Sequence, residues 1–356
     1  MFFLAKLQTV GSKSMADKRL KILVCGGAGY IGSHTCVALG QLGHEVVVFD
    51  NLSNSARMVI DRIAELVGHP VAFIQGDIRE RRDLARAFAG GVDCVIHFAA
   101  LKSVGESCSR PLTYFDNNIS GTITLLQAME AAQVSRMVFS SSATVYGNSE
   151  QVPVTESAPL QATNPYGRTK LIMEELIRDY SASRRGFSGV LLRYFNPVGA
   201  HPSGRIGESP TGTPANLMPC ITQVAIKRRE QVQVFGSDYP TRDGTGVRDY
   251  VHVMDLAEAH ASAARWAMTQ QGCVALNLGT GCGYSVLELI RTFERTTGAQ
   301  VPYRVVERRP GDVAELWADV SMAREVLGWQ ARHGLERMCE DAWRWQLNNP
   351  DGYQLA

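Results

Sequence analysis

Residues 20–50 read LKILVCGGAGYIGSHTCVALGQLGHEVVVFD. A continuous apolar run leads into a glycine-rich turn, then a segment with helical spacing, then a second apolar run. Runs that are apolar throughout, rather than alternating, suit strands buried on both faces, as in a parallel sheet. The turn sets Gly26, Gly29 and Gly32 in a GxxGxxG pattern. Such glycines permit a tight turn and a close approach of backbone to a diphosphate, which then rests on the N-terminus of the helix. A glycine pattern alone can be an ordinary strand–helix turn; here a strand precedes it and a helix follows, the context that the binding reading requires. The second run ends at Asp50, 18 residues after Gly32. A carboxylate there can be no more than a cap, but it can also accept both ribose hydroxyls of NAD and repel the 2′-phosphate of NADP. Taken with the glycines, it points to NAD. Asp77, which closes "QGD", is placed to reach the adenine.

Working outward, strand-length apolar runs recur in "VAFIQGD", "DCVIHFAA", "RMVFSSS" and "GVLLRYFN". Helical spacing lies between them over 30–42, 55–67, 79–89, 117–132 and 166–182. Strands alternating with helices predict a doubly wound parallel-sheet α/β domain of Rossmann type, starting near residue 19. After Asn196 the chain turns rich in Pro, Gly and Ser over 197–214, which reads as loop. A helix near 215–230, the strand "VQVFG" and a further loop follow. The helical "VMDLAEAHASAARWAM" and the strand "CVALNLG" are expected to return to the first sheet. The predicted division is a tail over 1–18, in which Met15 could be the natural start, an NAD-binding Rossmann domain over 19–198 plus 250–282, and a smaller C-terminal α/β substrate lobe over 199–249 plus 283–356.

Composition narrows the function. The 356 residues are 45% hydrophobic, enough for a large core, and the formal net charge is +1. Near-neutrality gives no support to nucleic-acid or anionic-membrane partners. No apolar run approaches the roughly 20 residues of a membrane helix, and "MFFLAK" is too short for a secretory core. These features predict a cytoplasmic protein. The eight cysteines, at 25, 36, 94, 108, 220, 273, 282 and 339, show no CxxC pair or metal spacing, so free thiols and no metal site are expected.

The chemistry is signalled by "NPYGRTK", residues 164–170, which sets Tyr166 and Lys170 on one helix face. With 11 Tyr and 7 Lys in 356 residues, chance gives about 0.2 such pairs. The fifth strand runs out into "SSSATVYG", leaving Ser140, Ser141, Ser142 and Thr144 at a strand's C-terminal end, where open α/β sheets bind ligands. A polar strand end can also do no more than make local caps. Beside a nicotinamide, a hydroxyl, a phenol and an ammonium would form an acid–base set. Lys170 and the cationic ring would both favour tyrosinate, and Ser142 would hold the reacting hydroxyl in line.

The glycine pattern, "SSSATVYG" and YxxxK resemble the extended short-chain dehydrogenase/reductase superfamily. "HFAALKSVGES", "YFDNN", "LLRYFNPVGAHPSGRIGE", "NLMP", "DGTGVRDYVHVMDLAEAH" and "ERRPGD" narrow the likeness, in order and over nearly all of 20–350, to the UDP-galactose 4-epimerase family. The resemblance implies one tightly bound, unconsumed NAD and a UDP-sugar substrate. Tyr166 would take the proton of the sugar 4-hydroxyl as hydride leaves carbon 4, and the 4-keto sugar would turn over and be reduced on its other face. UDP-galactose and UDP-glucose would thereby interconvert without net redox change.

The resemblance also implies contacts. The cofactor would be met by Gly26, Gly29, Tyr30, Ile31 and Gly32 at the first turn, and by Asp50, Asn51, Asn54 and Ser55 after the second strand. Asp77 and Ile78, then Phe98, Ala99 and Lys102, follow the third and fourth strands. Asn117, Ser140, Tyr166, Lys170 and Phe195 complete that set. The substrate would meet Lys102, Ser142, Tyr166 and Asn196. Asn216 and Leu217 would serve its diphosphate or sugar side, and Arg248 and Arg309 its diphosphate, which forked guanidinium donors suit. Gln233 and Phe235 fall at uracil positions, with Asp312 nearby. Two departures stand out. Ala100 replaces an expected glycine of "HFAGLK", and Leu316 sits where relatives carry Tyr or a small residue bordering the sugar. Leucine is intermediate there and leaves epimerisation of UDP-N-acetylglucosamine open.

A nucleotide-sugar 4,6-dehydratase shares the fold and YxxxK but needs a carboxylate pair near the fifth strand's end, where this chain has Ser142-Ala143-Thr144. A simple NAD-dependent alcohol dehydrogenase would not need the uridine-side segments. A non-catalytic NAD sensor would not need Ser142, Tyr166 and Lys170 together. Family members are often homodimers built through helices of the nucleotide domain, which would be 106–132 and 164–182 here.

Overall fold

Six parallel strands form in chain order: β1 (Lys21–Cys25), β2 (Glu45–Asp50), β3 (Ala72–Gln75), β4 (Cys94–His97), β5 (Arg136–Ser142) and β6 (Ser188–Tyr194). The chain then passes through β7 (Asn196–Val198), β8 (Val232–Phe235), β9 (Val247–Arg248) and β10 (Tyr250–His252) before β11 (Gly272–Leu278) adds the seventh strand, parallel to β6. The sheet order is β11-β6-β5-β4-β1-β2-β3, a Rossmann fold. This arrangement is a computed structural model describing residues 18–353 except 150, 211, 213, 215 and 310. The predicted tail, Lys18 apart, lies outside the described residues.

The reason for apolar runs without alternation is visible in the core. Leu23, Val47, Val95, Phe139 and Leu191 pack on one face against Leu84, Leu125 and Met173 of the helices Arg81–Phe88, Gly121–Ala131 and Pro165–Ser183. Their neighbours Val24, Val48, Ile96, Val138 and Leu192 pack on the other, against Val37, Ile63 and Leu256 of Tyr30–Gln41, Met58–Val67 and Val253–Thr269. Successive side chains point to opposite faces and both faces are covered, so neighbouring mid-strand positions are apolar alike; each such side chain contributes about 1.5–3 kcal/mol on burial.

The remaining strands are short. β7 pairs with β10, and β8 with β13 (Tyr303–Val306), which follows β12 (Tyr284–Ser285); β9 lies between β12 and β14 (Glu315–Leu316). Met218, Ile221, Val234, Leu289, Phe293 and Met338 form the core beside them. The helix Val286–Thr297 opens on a capping box of Ser285 and Glu288 and stops at left-handed Gly298. Among the described residues no helix is long and apolar enough to cross a membrane.

The expected helix 117–132 differs. Residues Asp116–Ser120 form a π turn, and the α-helix begins at Gly121. The wider turn carries Asn118 inward to full burial, which a regular helix start gives no reason to expect. The helix expected over 215–230 spans Leu217–Ala225 and is followed by Lys227 in the left-handed region.

Candidate functional site

The sheet order reverses between β1 and β4, and the crevice opens at their C-terminal ends. Gly26 has φ +78, and a Cβ there would lie 2.6 Å from the Ala99 nitrogen; at Gly32 it would lie 2.2 Å from the Gly26 oxygen. The two glycines let β1, β4 and the first helix close together. Gly29 is that helix's N-cap and offers no side-chain bond, and the first turn, with Tyr30, Ile31 and Gly32, holds no acidic residue. Its partial positive end is open to an anion. We therefore expect Gly32→Ala to weaken dinucleotide binding by at least about tenfold, or about 1.4 kcal/mol, measured as cofactor retained by the purified protein.

Asp50 is buried at the end of β2. Its two carboxylate oxygens accept from Ala28 N at 3.0 Å and Leu52 N at 2.8 Å. One lone pair remains on each oxygen, the right number for a vicinal diol. Burial raises its pKa and those two N–H donors pull it back. Ser55 donates to Ala28 O at 2.5 Å, fastening the following loop to the glycine turn, and Asn54 stands exposed. Asp77 is more committed than the sequence suggests. Arg79 donates to both its oxygens and Asn51 to one, and the Arg79 bonds hold its pKa down to about 2. An adenine contact through that carboxylate would displace one of these donors, while Ile78 beside it is buried.

On the β4 side, Phe98 N and Ala99 N both donate to Cys25 O, at 2.7 and 3.0 Å. The next loop is pinned by a residue that sequence reasoning missed. Asn118 accepts from Leu101 N at 2.8 Å and from Asn117 Nδ2 at 2.9 Å, and donates to Leu101 O at 3.1 Å and Thr169 Oγ1 at 3.0 Å. One amide thus joins the loop of Lys102 to the helix of Tyr166 and Lys170. "YFDNN" carried the signal as a pair of adjacent asparagines, of which Asn117 alone was singled out.

The helix Pro165–Ser183 starts where Asn164 accepts from Gly167 N at 2.9 Å, with Pro165 in its first turn. Tyr166 is partly exposed, and Lys170, one turn on, is 3% exposed. The Lys170 ammonium lies 5.9 Å from the Tyr166 ring centre and donates to Ser140 O at 2.6 Å. Ser142 Oγ accepts from Thr144 N at 3.2 Å and Thr144 Oγ1 at 3.0 Å. With its acceptor sites filled, the Ser142 proton is free to be donated. Burial raises the Tyr166 phenol to about 12 against the pull of Ser142, and lowers Lys170 to about 7 against the pull of Glu174. The sequence reading expected a lowered phenol. Desolvation outweighs the hydrogen bond of Ser142 here.

A buried polar chain lies behind this helix. Ser141 donates to Glu174 at 2.5 Å, and Arg193 donates to both Glu174 oxygens from Nε at 2.8 Å and Nη2 at 2.6 Å. Arg193 also reaches Tyr146 Oη at 2.9 Å, which donates to Asn277 Oδ1 at 2.6 Å. The signal was present in "GVLLRYFN", an arginine inside an otherwise apolar strand.

Leu316 pairs in register with Arg248 and packs on the cluster of Ala143, Val145 and buried Phe195, against the turn that follows Ser142. Asn196 opens β7 and its N–H donates to Asp249 O at 2.9 Å. On β8, Gln233 is exposed, and Phe235 carries the Arg309 guanidinium over its ring at 4.4 Å with Asp312 3.6 Å from Arg309. Asn216 precedes the helix Leu217–Ala225, and Glu208 accepts from both Asn216 at 2.7 Å and Lys102 at 3.4 Å.

A family model described as GDP-mannose 4,6 dehydratase matches residues 23–342. The chain is 55% identical over 338 residues to the UDP-glucose 4-epimerase of Bacillus subtilis (strain 168), covering 95% of this chain and 100% of the relative. It is 52% identical over 341 residues to that of Homo sapiens, covering 94% and 98%. Among solved structures, a UDP-glucose 4-epimerase from Stenotrophomonas maltophila with bound NAD and formylated UDP-arabinopyranose superposes with a TM-score of 0.92 at 56% identity, over 93% of this chain and 99% of that one. The Bifidobacterium longum UDP-glucose 4-epimerase in complex with NAD+ and UDP gives a TM-score of 0.90 at 46% identity, over 94% and 100%.

Proposed function

Since the chain belongs to the UDP-glucose 4-epimerase family, we propose that it interconverts UDP-galactose and UDP-glucose, with NAD held at the glycine turn and no net redox change. The observation that carries this reading is the juxtaposition of Ser142, with its proton free, Tyr166 and Lys170 at the end of β5 in the sheet whose β1 and β2 ends carry Gly32 and Asp50.

The residues fit the cofactor: a Cβ would close the turn at Gly26 and Gly32, and Asp50 has two free lone pairs. Bound there, NAD supplies a hydride acceptor and donor for sugar carbon 4. Tyr166 takes the proton of the 4-hydroxyl and later returns it, assisted by the ammonium of Lys170. Ser142 donates to the sugar oxygen and keeps it in line with the phenol. The same proton leaves and returns, so Tyr166 needs no path to solvent. Arg248 and Arg309 hold the diphosphate while the sugar turns over. Elimination of the kind a 4,6-dehydratase performs finds no carboxylate in Ser142-Ala143-Thr144.

The test is incubation of the purified protein with UDP-galactose and no added cofactor, followed by proton NMR. UDP-glucose with no net NADH is expected; no conversion even with NAD supplied overturns the assignment. UDP-N-acetylgalactosamine as a second substrate measures what Leu316 admits.

We also infer a homodimer. Leu112 is 82% exposed, and Val104 and Ile123 are exposed on the neighbouring helices, an apolar face that pairing would cover. Leu112→Arg is expected to shift the protein from dimer to monomer in light scattering coupled to size exclusion. Eight unpaired cysteines suit a reducing compartment, and we place the enzyme in the cytoplasm.

A further inference from the structure

We infer that Asp249 is a positioning residue that fixes Arg248 toward the diphosphate of the UDP-sugar by pinning the short strand β9 to its neighbours. The inference rests on the function proposed above and gives a duty to a residue that the proposed function leaves without one.

β9 consists of Val247 and Arg248 and lies between β12 and β14. So short a strand has few ladder bonds to hold its register, and a slip of one residue would turn Arg248 to the opposite face. The next residue supplies the hold. Asp249 is fully buried; its N–H donates to Leu316 O at 3.1 Å and its carbonyl accepts from Asn196 N at 2.9 Å. Carboxylate Oδ1 accepts from Thr280 N and Thr280 Oγ1, both at 2.7 Å. Oδ2 accepts from Gly281 N at 3.0 Å and Ala318 N at 3.2 Å. One residue thus joins β7, the turn after β11 and the segment that leaves β14. Asn196, Arg248 and Leu316, three positions on the proposed substrate side, share this anchor.

The anchor calls for a carboxylate. Its two oxygens offer about four acceptor sites, and four donors fill them. An amide of the same shape would set an NH2 against either the Thr280 pair or the Gly281 and Ala318 pair. Either way at least one backbone N–H is stranded in the interior. The space is closed as well. A Cβ on Gly279 would lie 2.3 Å from Oδ2 and 2.9 Å from the Ala318 Cβ. Arg248 itself is half-buried, and its Nη1 donates to Val247 O at 2.8 Å. The aim of the guanidinium therefore follows the backbone that Asp249 pins.

Calorimetric titration of the NAD-loaded protein with UDP compares the wild type, Asp249→Asn, Arg248→Ala and the double variant. Asp249→Asn is expected to weaken UDP binding about tenfold, the scale of one charge-assisted bond to a phosphate set out of line. Stoichiometry separates this from a general loss of structure. Misfolded protein lowers the number of sites and leaves the affinity of the rest, whereas a displaced guanidinium lowers the affinity of every site. In the Arg248→Ala background, Asp249→Asn is expected to cost less than about threefold more, because the group it positions is gone. UDP affinity in Asp249→Asn equal to wild type, or a full further loss of about tenfold in the double variant, overturns the inference. If Asp249→Asn does not fold, Thr280→Val, which removes one of the four donors, and Thr280→Ser, which keeps it, carry the test. UDP binding about threefold weaker in Thr280→Val and unchanged in Thr280→Ser supports the inference, and the same affinity in both overturns it. A wild type that binds no UDP would instead overturn the proposed function.

Discussion

Tyr166→Phe is expected to lower epimerase turnover by roughly 10²–10⁴-fold while leaving NAD bound, because one positioned proton-transfer group is removed and nothing else. The phenyl ring keeps the packing of the helix start, and the cofactor cradle is built from Gly26, Gly32 and Asp50, none of which the hydroxyl touches. The phenol at rest is a poor base, since burial raises it to about 12. Three influences act against that: the donated bond of Ser142, the ammonium of Lys170 and the cationic nicotinamide. An anion forming on the phenol would favour the charged lysine, which burial holds down to about 7 against the pull of Glu174. Bound at the glycine turn, NAD⁺ would add a positive charge that favours the tyrosinate. Rates with UDP-galactose, measured beside the NAD content of the purified variant, decide the matter. Near-wild-type turnover would remove Tyr166 as the base, and loss of NAD would show that the hydroxyl has a structural role.

What could be read beforehand divides along sequence distance. The parallel sheet is legible because Leu23–Val24, Val47–Val48 and Leu191–Leu192 must each bury two successive side chains, a pattern written locally. Tyr166 and Lys170 are legible because one helical turn joins them. Asn118, Glu174, Arg193 and Glu208 are not, since their partners come from remote segments: Asn118 meets Thr169 51 residues away, and Glu208 meets Lys102 106 residues away. Each is a polar residue whose burial depends on where another strand or loop is laid down. Periodicity gives no access to that. The π turn at Asp116–Ser120 was missed for the same reason, because what calls for it is the inward reach of Asn118.

Arg193→Met is expected to cost about 3 kcal/mol or more of stability, the scale of breaking a buried ion pair from one side. Arg193 and Glu174 are 1% and 0% exposed, and the arginine donates to both carboxylate oxygens. Without it Glu174 keeps the hydroxyl of Ser141 and, at 3.6 Å, the partly exposed Arg178, too little to satisfy a charge in the sheet's interior. The Tyr146 hydroxyl, which donates to Asn277 Oδ1, loses its own donor in the same step. The companion Glu174→Leu, made together with Arg193→Met, removes both charges, and the double variant should recover much of the loss, since well-packed apolar pairs often replace buried ion pairs at little cost. Urea unfolding of the NAD-loaded protein measures all three. Activity should not follow stability. Glu174 lies one turn beyond Lys170 and raises its pKa, so the double variant removes the charge that helps keep the lysine protonated. A double variant that folds as well as the wild type but turns over slowly above pH 7 would separate the two duties of Glu174, holding the helix and holding the charge of Lys170; equal activity at every pH would leave it the first alone.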